Sequence, residues 1–230
     1  MTESIDDVLR AVERGAQRDE PRSRTGAVSA ELRDEFPGLA IRHQLVERGS
    51  GRSPKVVKER LKELSDRFTG AQAITLRQKP IPWAYRVFFR HIGLDPDRTL
   101  TPIEQLSLDR MKQGRFRSQN LLDDALTIAI VESGVALRAF DADKVTGEPG
   151  LRGSDHGERL EGRPGTLPQG TLVIADERRP MALMFGATGA GIGVHPRTRR
   201  TLLVAIQVKG VSDMVADEAL WVAATVMASA

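Results

Sequence analysis

A helix that is apolar on nearly every side constrains this chain more than any other feature. Residues 120–133 read NLLDDALTIAIVES and place apolar side chains on all faces of a helix. Such a helix is stable only when other elements cover it completely, so the chain must build its core around it. We predict that Ser118 caps the helix and that Gly134 ends it.

Two acidic residues, Asp123 and Asp124, lie in the first turn of this predicted helix. One interpretation is that their carboxylates accept hydrogen bonds from the free backbone N–H groups of that turn. The other is that one of them points into a pocket and holds a substrate amine or an arginine.

Short strands and a glycine-rich crossing follow the helix. Apolar runs predict strands at residues 135–140, 171–175, 181–185 and 201–208. Four closely spaced glycines precede the last strand, namely Gly186, Gly189, Gly191 and Gly193. They lack the order of a phosphate-binding loop, so they either permit close packing or line a ligand pocket. A basic loop, HPRTRR, follows at residues 195–200.

The rest of the chain is predicted to be mostly helical. Residues 1–26 are predicted to form an N-terminal helix (2–17) and a polar linker (18–26), and residues 27–230 a single domain. Within the domain, helices are predicted at residues 30–36, 54–68, 81–94, 102–111 and 212–227. Ser29 and Ser53 are the predicted caps of the first two, and Thr101 and Glu104 have the spacing of a capping box. A strand is predicted at 39–46, with Leu45 inside and Gln44 facing water.

Aromatic and cationic side chains alternate in residues 81–94, IPWAYRVFFRHIGL. Aromatic rings beside cations would suit a nucleic acid. The competing interpretation is a core helix whose aromatic residues, Trp83, Tyr85, Phe88 and Phe89, pack inward while its arginines point outward.

Composition sets the broad class. The chain has 230 residues, 40% hydrophobic and 28% charged, as is typical of a soluble globular protein. It has no cysteine, which excludes disulfides and thiolate chemistry. There is no membrane-spanning apolar run and no signal-peptide pattern, so we expect a cytoplasmic protein without a membrane partner. The net charge of +3 indicates either an anionic partner or an ordinary arginine-rich surface.

Signatures of catalysis and metal binding are sparse. Asp155, His156 and Glu158 could suggest a metal site, but no second cluster lies at ligand spacing, so we predict no metal and no other cofactor. The G-x-S-x-G motif is absent, and without cysteine a nucleophile must be serine, threonine or activated water.

Three segments, taken in order, resemble a known family. They are LDDALTIAIVESGVALRAFDADKVTG (122–147), TLVIAD (171–176) and ALMFGATGAGIGVHPRT (182–198). Together they resemble the B3/B4 domain of the phenylalanyl-tRNA synthetase β-chain. Upstream, FPGL, AYRVFFRHIGLDPDRT and TPIEQL resemble the N-terminal part of free-standing B3/B4 proteins. The resemblance runs from about Val28 to the C-terminus and implies an α+β fold, with a β-sandwich-like core and flanking helices.

In the synthetase this domain hydrolyses tRNA that carries the wrong amino acid. The resemblance implies a pocket between the end of the buried helix, the AFD turn at 139–141 and the glycine-rich crossing. It places around that pocket Asp124, Arg138, Asp141, Gly186, Thr188, Gly189 and Ala190, with His195 and Thr198 near the rim.

Four residues depart from the synthetase pattern. Bacterial synthetases commonly have His at the position of Arg138, Pro at Ala136, Glu at Ala190 and Asn at Thr127, and the His and the Glu are associated with editing. Arg138 cannot shuttle a proton near neutral pH, but it can bind a carboxylate or phosphate through two parallel hydrogen bonds. The polar groups therefore favour anion binding over editing chemistry.

Three functions follow as hypotheses. The first is binding of tRNA or an aminoacyl-tRNA end, with phosphate contacts from Arg115, Arg117, Arg138, Arg197, Arg199 and Arg200. The second is a small-molecule site in which Arg138 clamps the carboxylate of an amino acid or similar metabolite. The third is a deacylase for mischarged tRNA, in which Thr188, His195 and Asp124 orient water or move a proton. Backbone N–H groups near Gly189 to Gly191 would then stabilise the oxyanion.

Overall fold

The computed structural model describes residues 23–229, a range that contains seven α-helices. The helix predicted at 2–17 lies outside the described residues. The seven helices are α1 (Ala30–Glu35), α2 (Lys55–Arg67), α3 (Gly70–Thr75), α4 (Pro80–His91), α5 (Pro102–Gln113), α6 (Leu121–Ser133) and α7 (Asp213–Ala228). No helix in the described range is long and apolar enough to cross a membrane.

Eight short strands form two four-stranded sheets. The strands are β1 (Arg24–Thr25), β2 (Ala27–Val28), β3 (Ala40–Val46), β4 (Ala136–Asp141), β5 (Gly150–Gly153), β6 (Leu172–Ala175), β7 (Pro180–Leu183) and β8 (Thr201–Gln207). The first sheet has the order β1-β3-β8-β4 and is antiparallel. The second has the order β2-β5-β6-β7, with β2 and β5 parallel. Both sheets contribute to one large apolar core, and the predicted α+β class is confirmed.

Helix α6 is buried, as its sequence predicted. It packs against α2, α7 and β4. Three of its side chains are completely inaccessible to solvent: Ala125, Ile128 and Ala129. The helix ends at Gly134, whose φ of +80° is the left-handed conformation expected at such a stop.

The aromatic stretch forms α4, and the core interpretation is correct for three of its four aromatic residues. Tyr85, Phe88 and Phe89 are buried, whereas Trp83 is half exposed. The Tyr85 hydroxyl donates to a carbonyl of β8 at 2.5 Å and accepts an N–H of β4 at 3.0 Å. The buried aromatic residues of the helix therefore support the first sheet, whereas the exposed Trp83 lies beside a cation, with the Arg90 guanidinium 5.5 Å from its ring centre.

One arginine of α4 contradicts the prediction that its arginines point outward. Arg86 is buried and donates to Glu104 at 2.7 Å and to Asp97 at 2.6 Å. The second oxygen of Glu104 accepts from Thr101, so the predicted capping box of α5 is confirmed. A buried guanidinium requires such carboxylate partners, because a lone charge would lose its hydration without compensation.

The predicted alternation of strand β3 is wrong at two positions. Gln44 is 3% exposed although it was expected to face water, and Leu45 is 37% exposed. The strand lies between β1 and β8, and it also contacts α7, β2 and β5. With both faces in contact with other elements, a polar residue no longer marks the solvent side. Its pairing with Arg24–Thr25 shows that the sheet starts inside the segment predicted as a linker.

The same strand contains a buried histidine with consequences for stability. Burial lowers the pKa of His43 below its ordinary value of 6.5. The unfolded chain therefore gains this proton at a higher pH than the folded chain, and the free energy of unfolding is expected to fall as the pH drops below 6.5. Denaturant unfolding on either side of that pH should give a smaller loss for His43→Leu than for wild type. The exposed His91, changed to leucine, is the control; equal losses in His43→Leu and wild type would contradict the prediction.

Candidate functional site

Arg138 joins the first sheet to the glycine-rich crossing that follows β7. It lies on β4, an edge strand of the first sheet, and donates to the carbonyl of Gly186 at 2.7 Å and to Thr188 Oγ1 at 2.6 Å. Both acceptors are neutral, and no ion pair within residues 23–229 includes Arg138. Burial lowers the pKa of Arg138, yet a guanidinium stays protonated near neutral pH. The site therefore holds a positive charge without a carboxylate partner among the described residues.

The glycine-rich crossing folds back onto β7. The Gly189 N–H donates to the Met181 carbonyl at 2.7 Å, and the Ala190 N–H donates to the Glu161 carbonyl at 2.8 Å. A Cβ on Gly189 would lie 3.1 Å from the Met181 oxygen, so this glycine serves close packing. Because these two N–H groups are already bonded to backbone oxygens, they are not open donors for an oxyanion.

Asp141, Thr198 and His195 form a cluster at the end of β4. The buried Asp141 carboxylate accepts the Thr198 hydroxyl at 2.7 Å, and its Oδ2 lies 3.4 Å from His195 Nε2. The Thr198 hydroxyl oxygen accepts the backbone N–H of His195 at 3.1 Å. The imidazole Nδ1 of His195 accepts the backbone N–H of Arg197 at 3.0 Å. Both imidazole nitrogens thus have partners that shape the 195–200 loop, and neither is free as a general base.

Asp124 is 1% exposed and joins two segments that are distant in sequence. Its carboxylate accepts the hydroxyls of Ser53 and Ser118, each at 2.5 Å, and the N–H of Gln119 at 2.9 Å. The predicted capping roles of both serines are wrong, because α2 has Pro54 at its N-cap and α6 has Asn120, whose side-chain oxygen accepts the Asp123 N–H. The geometry favours a structural role for Asp124.

The three residues nominated for hydrolysis do not form a catalytic arrangement with one another. Thr188 binds Arg138, His195 lies beside Asp141, and the Asp124 carboxylate is taken up by the two serines and a backbone N–H. Arg138 and Asp141 are three residues apart on β4, which is about 10 Å along a strand. No hydrogen bond joins any two of the three candidates.

The acidic group at residues 155–158 is engaged in an ion pair. Glu158 accepts two hydrogen bonds from Arg152, at 2.6 and 2.7 Å. Across residues 23–229 no group of three or more His, Asp or Glu side chains could hold a metal ion.

The end of β3 and the start of β8 lie side by side, because Val46 pairs with Thr201. Several exposed arginines lie in this region. We call this region the basic end. Arg197 and Arg199 lie in the loop before β8, and neither forms an ion pair within the described part of the chain. Arg200 is neutralised by Glu47 at 3.4 Å and Asp143 at 3.2 Å.

The other two predicted phosphate contacts differ in position. Arg117 precedes Ser118, whose bond to Asp124 holds it near the basic end. Arg115 precedes Phe116, whose N–H donates to Ser65 Oγ at 2.9 Å near the far end of α2. Arg117 therefore belongs to the basic end, and Arg115 does not.

The sequence predicts a turn at residues 49–53, GSGRS, but indicates no functional role for it or for Arg48; residues 48–52, RGSGR, lie at the basic end. The turn and Thr198 line a depression of about 320 Å³. The available signal was the pair Arg48 and Arg52 flanking two glycines. Its importance depends on packing against Thr198 and Leu121, which are far away in the sequence.

Gly49→Ala is expected to lower the free energy of unfolding by about 1–3 kcal/mol, the usual cost of overpacking. A Cβ at Gly49 would lie 1.8 Å from the Thr198 backbone oxygen, so the turn and the 195–200 loop would have to separate. Gly51→Ala is the matched control, because a Cβ there meets nothing within 4 Å. Denaturant unfolding measures both, and equal stabilities would rule out this close contact.

Comparison with known proteins identifies the family. Residues 84–216 match the B3/4 domain family. The phenylalanine–tRNA ligase beta subunit of Legionella pneumophila (strain Lens) is 33% identical over 98 residues, 41% of this chain and 12% of that protein. The same subunit of Xanthomonas campestris pv. campestris (strain 8004) is 35% identical over 114 residues, 48% of this chain and 14% of that protein. The chain thus aligns with about one seventh or less of the length of these relatives. Since the family match covers more than half of its 230 residues, the chain belongs to the B3/4 domain family.

Proposed function

We propose that this protein binds tRNA or an aminoacyl-tRNA end, and that Arg138 holds an anionic group of that end beside β4. The observation that carries this proposal is a positive charge held by two neutral oxygens, at 2.7 and 2.6 Å. A guanidinium has five N–H donors, and the donors that remain suit a phosphate or carboxylate.

Two further observations support a tRNA ligand. The relatives that align with this chain are named as subunits of a tRNA ligase. Exposed arginines near the same end of β4, among them Arg117, Arg197 and Arg199, supply the kind of contact that neutralises phosphates without reading sequence.

Recognition without hydrolysis fits the side chains present. Arg138 cannot exchange protons near neutral pH. Thr188, His195 and Asp124 are each engaged in contacts that position other groups. We therefore rank binding above a deacylase activity; release of amino acid from mischarged tRNA above the spontaneous rate would reverse that order.

A second candidate is a small carboxylate ligand such as an amino acid. The same guanidinium favours it, because a bidentate ion pair with a carboxylate needs no nucleic acid. Thermal-shift measurements with amino acids separate the two candidates. A ligand at a hundred times its Kd stabilises the fold by about 2.7 kcal/mol.

The direct test is tRNA binding at low and at physiological salt. We expect binding that weakens as salt rises, because each neutralised phosphate releases counterions. A tRNA that lacks its last nucleotides is the matched ligand and should bind more weakly if Arg138 holds the end. Absence of binding at low salt would refute the proposal. Equal binding of intact and shortened tRNA would refute the role given to the end.

A further inference from the structure

The turn at residues 48–52 is held in place through its carbonyl groups. The Thr201 hydroxyl donates to the Arg48 carbonyl at 2.6 Å, which fixes the turn to the start of β8. The Leu121 N–H donates to the Gly51 carbonyl at 2.7 Å, which fixes it to the start of α6. Both carbonyls therefore point toward the body of the protein.

This anchoring turns N–H groups outward. In a planar trans peptide the C=O of one residue and the N–H of the next point in opposite directions. The N–H groups of Gly49 and Arg52 are thus directed away from the Thr201 hydroxyl and the Leu121 N–H, the two donors that anchor the turn. Within residues 23–229, no N–H from Gly49 to Arg52 donates to a protein acceptor. Backbone N–H groups of a turn that have no protein acceptor attract anions.

The side chains around the turn carry positive charge, as do the hydrogen ends of these N–H dipoles. The depression of about 320 Å³ is lined by Arg48, Arg52, Ser50 and Thr198, and none of its described lining residues is acidic. Neither arginine forms an ion pair within the described residues, and the adjacent Glu47 is paired with Arg200 at 3.4 Å. Two cations, a hydroxyl and outward N–H groups are the donor set that a phosphate requires.

We propose that this depression is a phosphate site that binds a backbone phosphodiester of RNA. This ligand rests on the proposed tRNA binding, whereas the site itself is separate from Arg138. Thr198, which lines the depression, binds Asp141, three residues along β4 from Arg138. Residues 48–52 lie outside the segment 84–216 that matches the family, so this part of the chain adds the contact to the shared domain.

The first test removes the two positive charges. Arg48→Gln combined with Arg52→Gln is expected to weaken tRNA binding about 10- to 100-fold, the range for lost hydrogen bonds to a charged group. The slope of log K against log salt should become shallower by about 0.7–0.9, the value for one neutralised phosphate. Arg33→Gln combined with Arg67→Gln is the matched control, since both are exposed helix arginines without an ion pair in the described range.

The outcomes separate the site from the proposed function. If wild type binds no tRNA at low salt, the proposed function fails, and with it the RNA ligand of this site. If wild type, control and the Arg48 and Arg52 double variant all bind tRNA equally and with the same slope, the RNA contact at this depression is refuted and the proposed function stands.

The second test uses inorganic phosphate alone and identifies the source of the anion. Amide NMR signals of Gly49 to Arg52 are expected to shift with phosphate but not with chloride at equal ionic strength, and the double variant should lose the shift. Phosphate shifts in wild type together with unchanged tRNA binding in the double variant would indicate a site for free phosphate, which overturns the RNA proposal. No phosphate shift at these amides would overturn the site.

Discussion

Asp124→Ala is expected to lower the free energy of unfolding by about 3–5 kcal/mol, because three donors lose one charged acceptor and each donor left unsatisfied costs about 1–3 kcal/mol. The substitution leaves the hydroxyls of Ser53 and Ser118 and the N–H of Gln119 without their common acceptor. These three groups join the segment before α2 to the segment before α6. Thermal unfolding should show a midpoint lower by roughly 10 °C, at a few degrees for each kcal/mol in a domain of this size.

Asp123→Ala is the matched control for that prediction. Asp123 lies in the same helical turn, is only half buried, and its carboxylate accepts from Asn120 at 2.6 Å within the turn. Its replacement is expected to cost about 1 kcal/mol or less. Equal effects of the two substitutions would contradict the joining role of Asp124. A loss of tRNA binding by Asp124→Ala at unchanged stability would revive its interpretation as a pocket residue.

The elements that sequence predicted best are those whose signal does not depend on a partner. The apolar character of α6 requires burial wherever the helix is placed, and the glycine after it stops the helix by its own conformational freedom. The capping predictions for Ser53 and Ser118 failed for the opposite reason. Neither serine occupies the N-cap of its helix, and each hydroxyl instead donates to Asp124, which for Ser53 is 71 residues away in the sequence. Local pattern contains no information about such a distant partner.

In the candidate site, too, the residue itself could be predicted from the sequence, but its distant partners could not. Arg138 could be singled out from the sequence because its residue type departs from the synthetase pattern. Its partners, Gly186 and Thr188, are 48 and 50 residues away in the sequence. That Arg138 binds these neutral oxygens and no carboxylate follows from the packing of β4 beside the glycine-rich crossing, which local sequence does not reveal. The turn at residues 49–53 could be predicted from its glycines and serines, but its role at the site could not, because its anchor on β8 is 153 residues away from Arg48.

Arg138→Gln is expected to weaken tRNA binding by about 10- to 100-fold, the equivalent of roughly 1.5–3 kcal/mol for hydrogen bonds to a charged group. Glutamine keeps a polar side chain that can still reach a neutral oxygen, but it removes the positive charge that has no described carboxylate partner. Stability should change little, because Arg138 forms no ion pair within residues 23–229 and its two acceptors are neutral. Equilibrium binding and thermal unfolding, measured on the same preparations, separate the two effects.

Arg138→Lys and Arg33→Gln complete the comparison. Lysine keeps the charge but cannot place two N–H groups on Gly186 and Thr188 at once, so its affinity should lie between those of wild type and Arg138→Gln. Arg33→Gln removes one exposed positive charge on α1 and should leave affinity nearly unchanged. If both glutamine variants weaken binding equally, only net charge matters and the specific role of Arg138 is wrong. If lysine binds as weakly as glutamine, the planar guanidinium itself is required, as bidentate recognition of a phosphate or carboxylate demands.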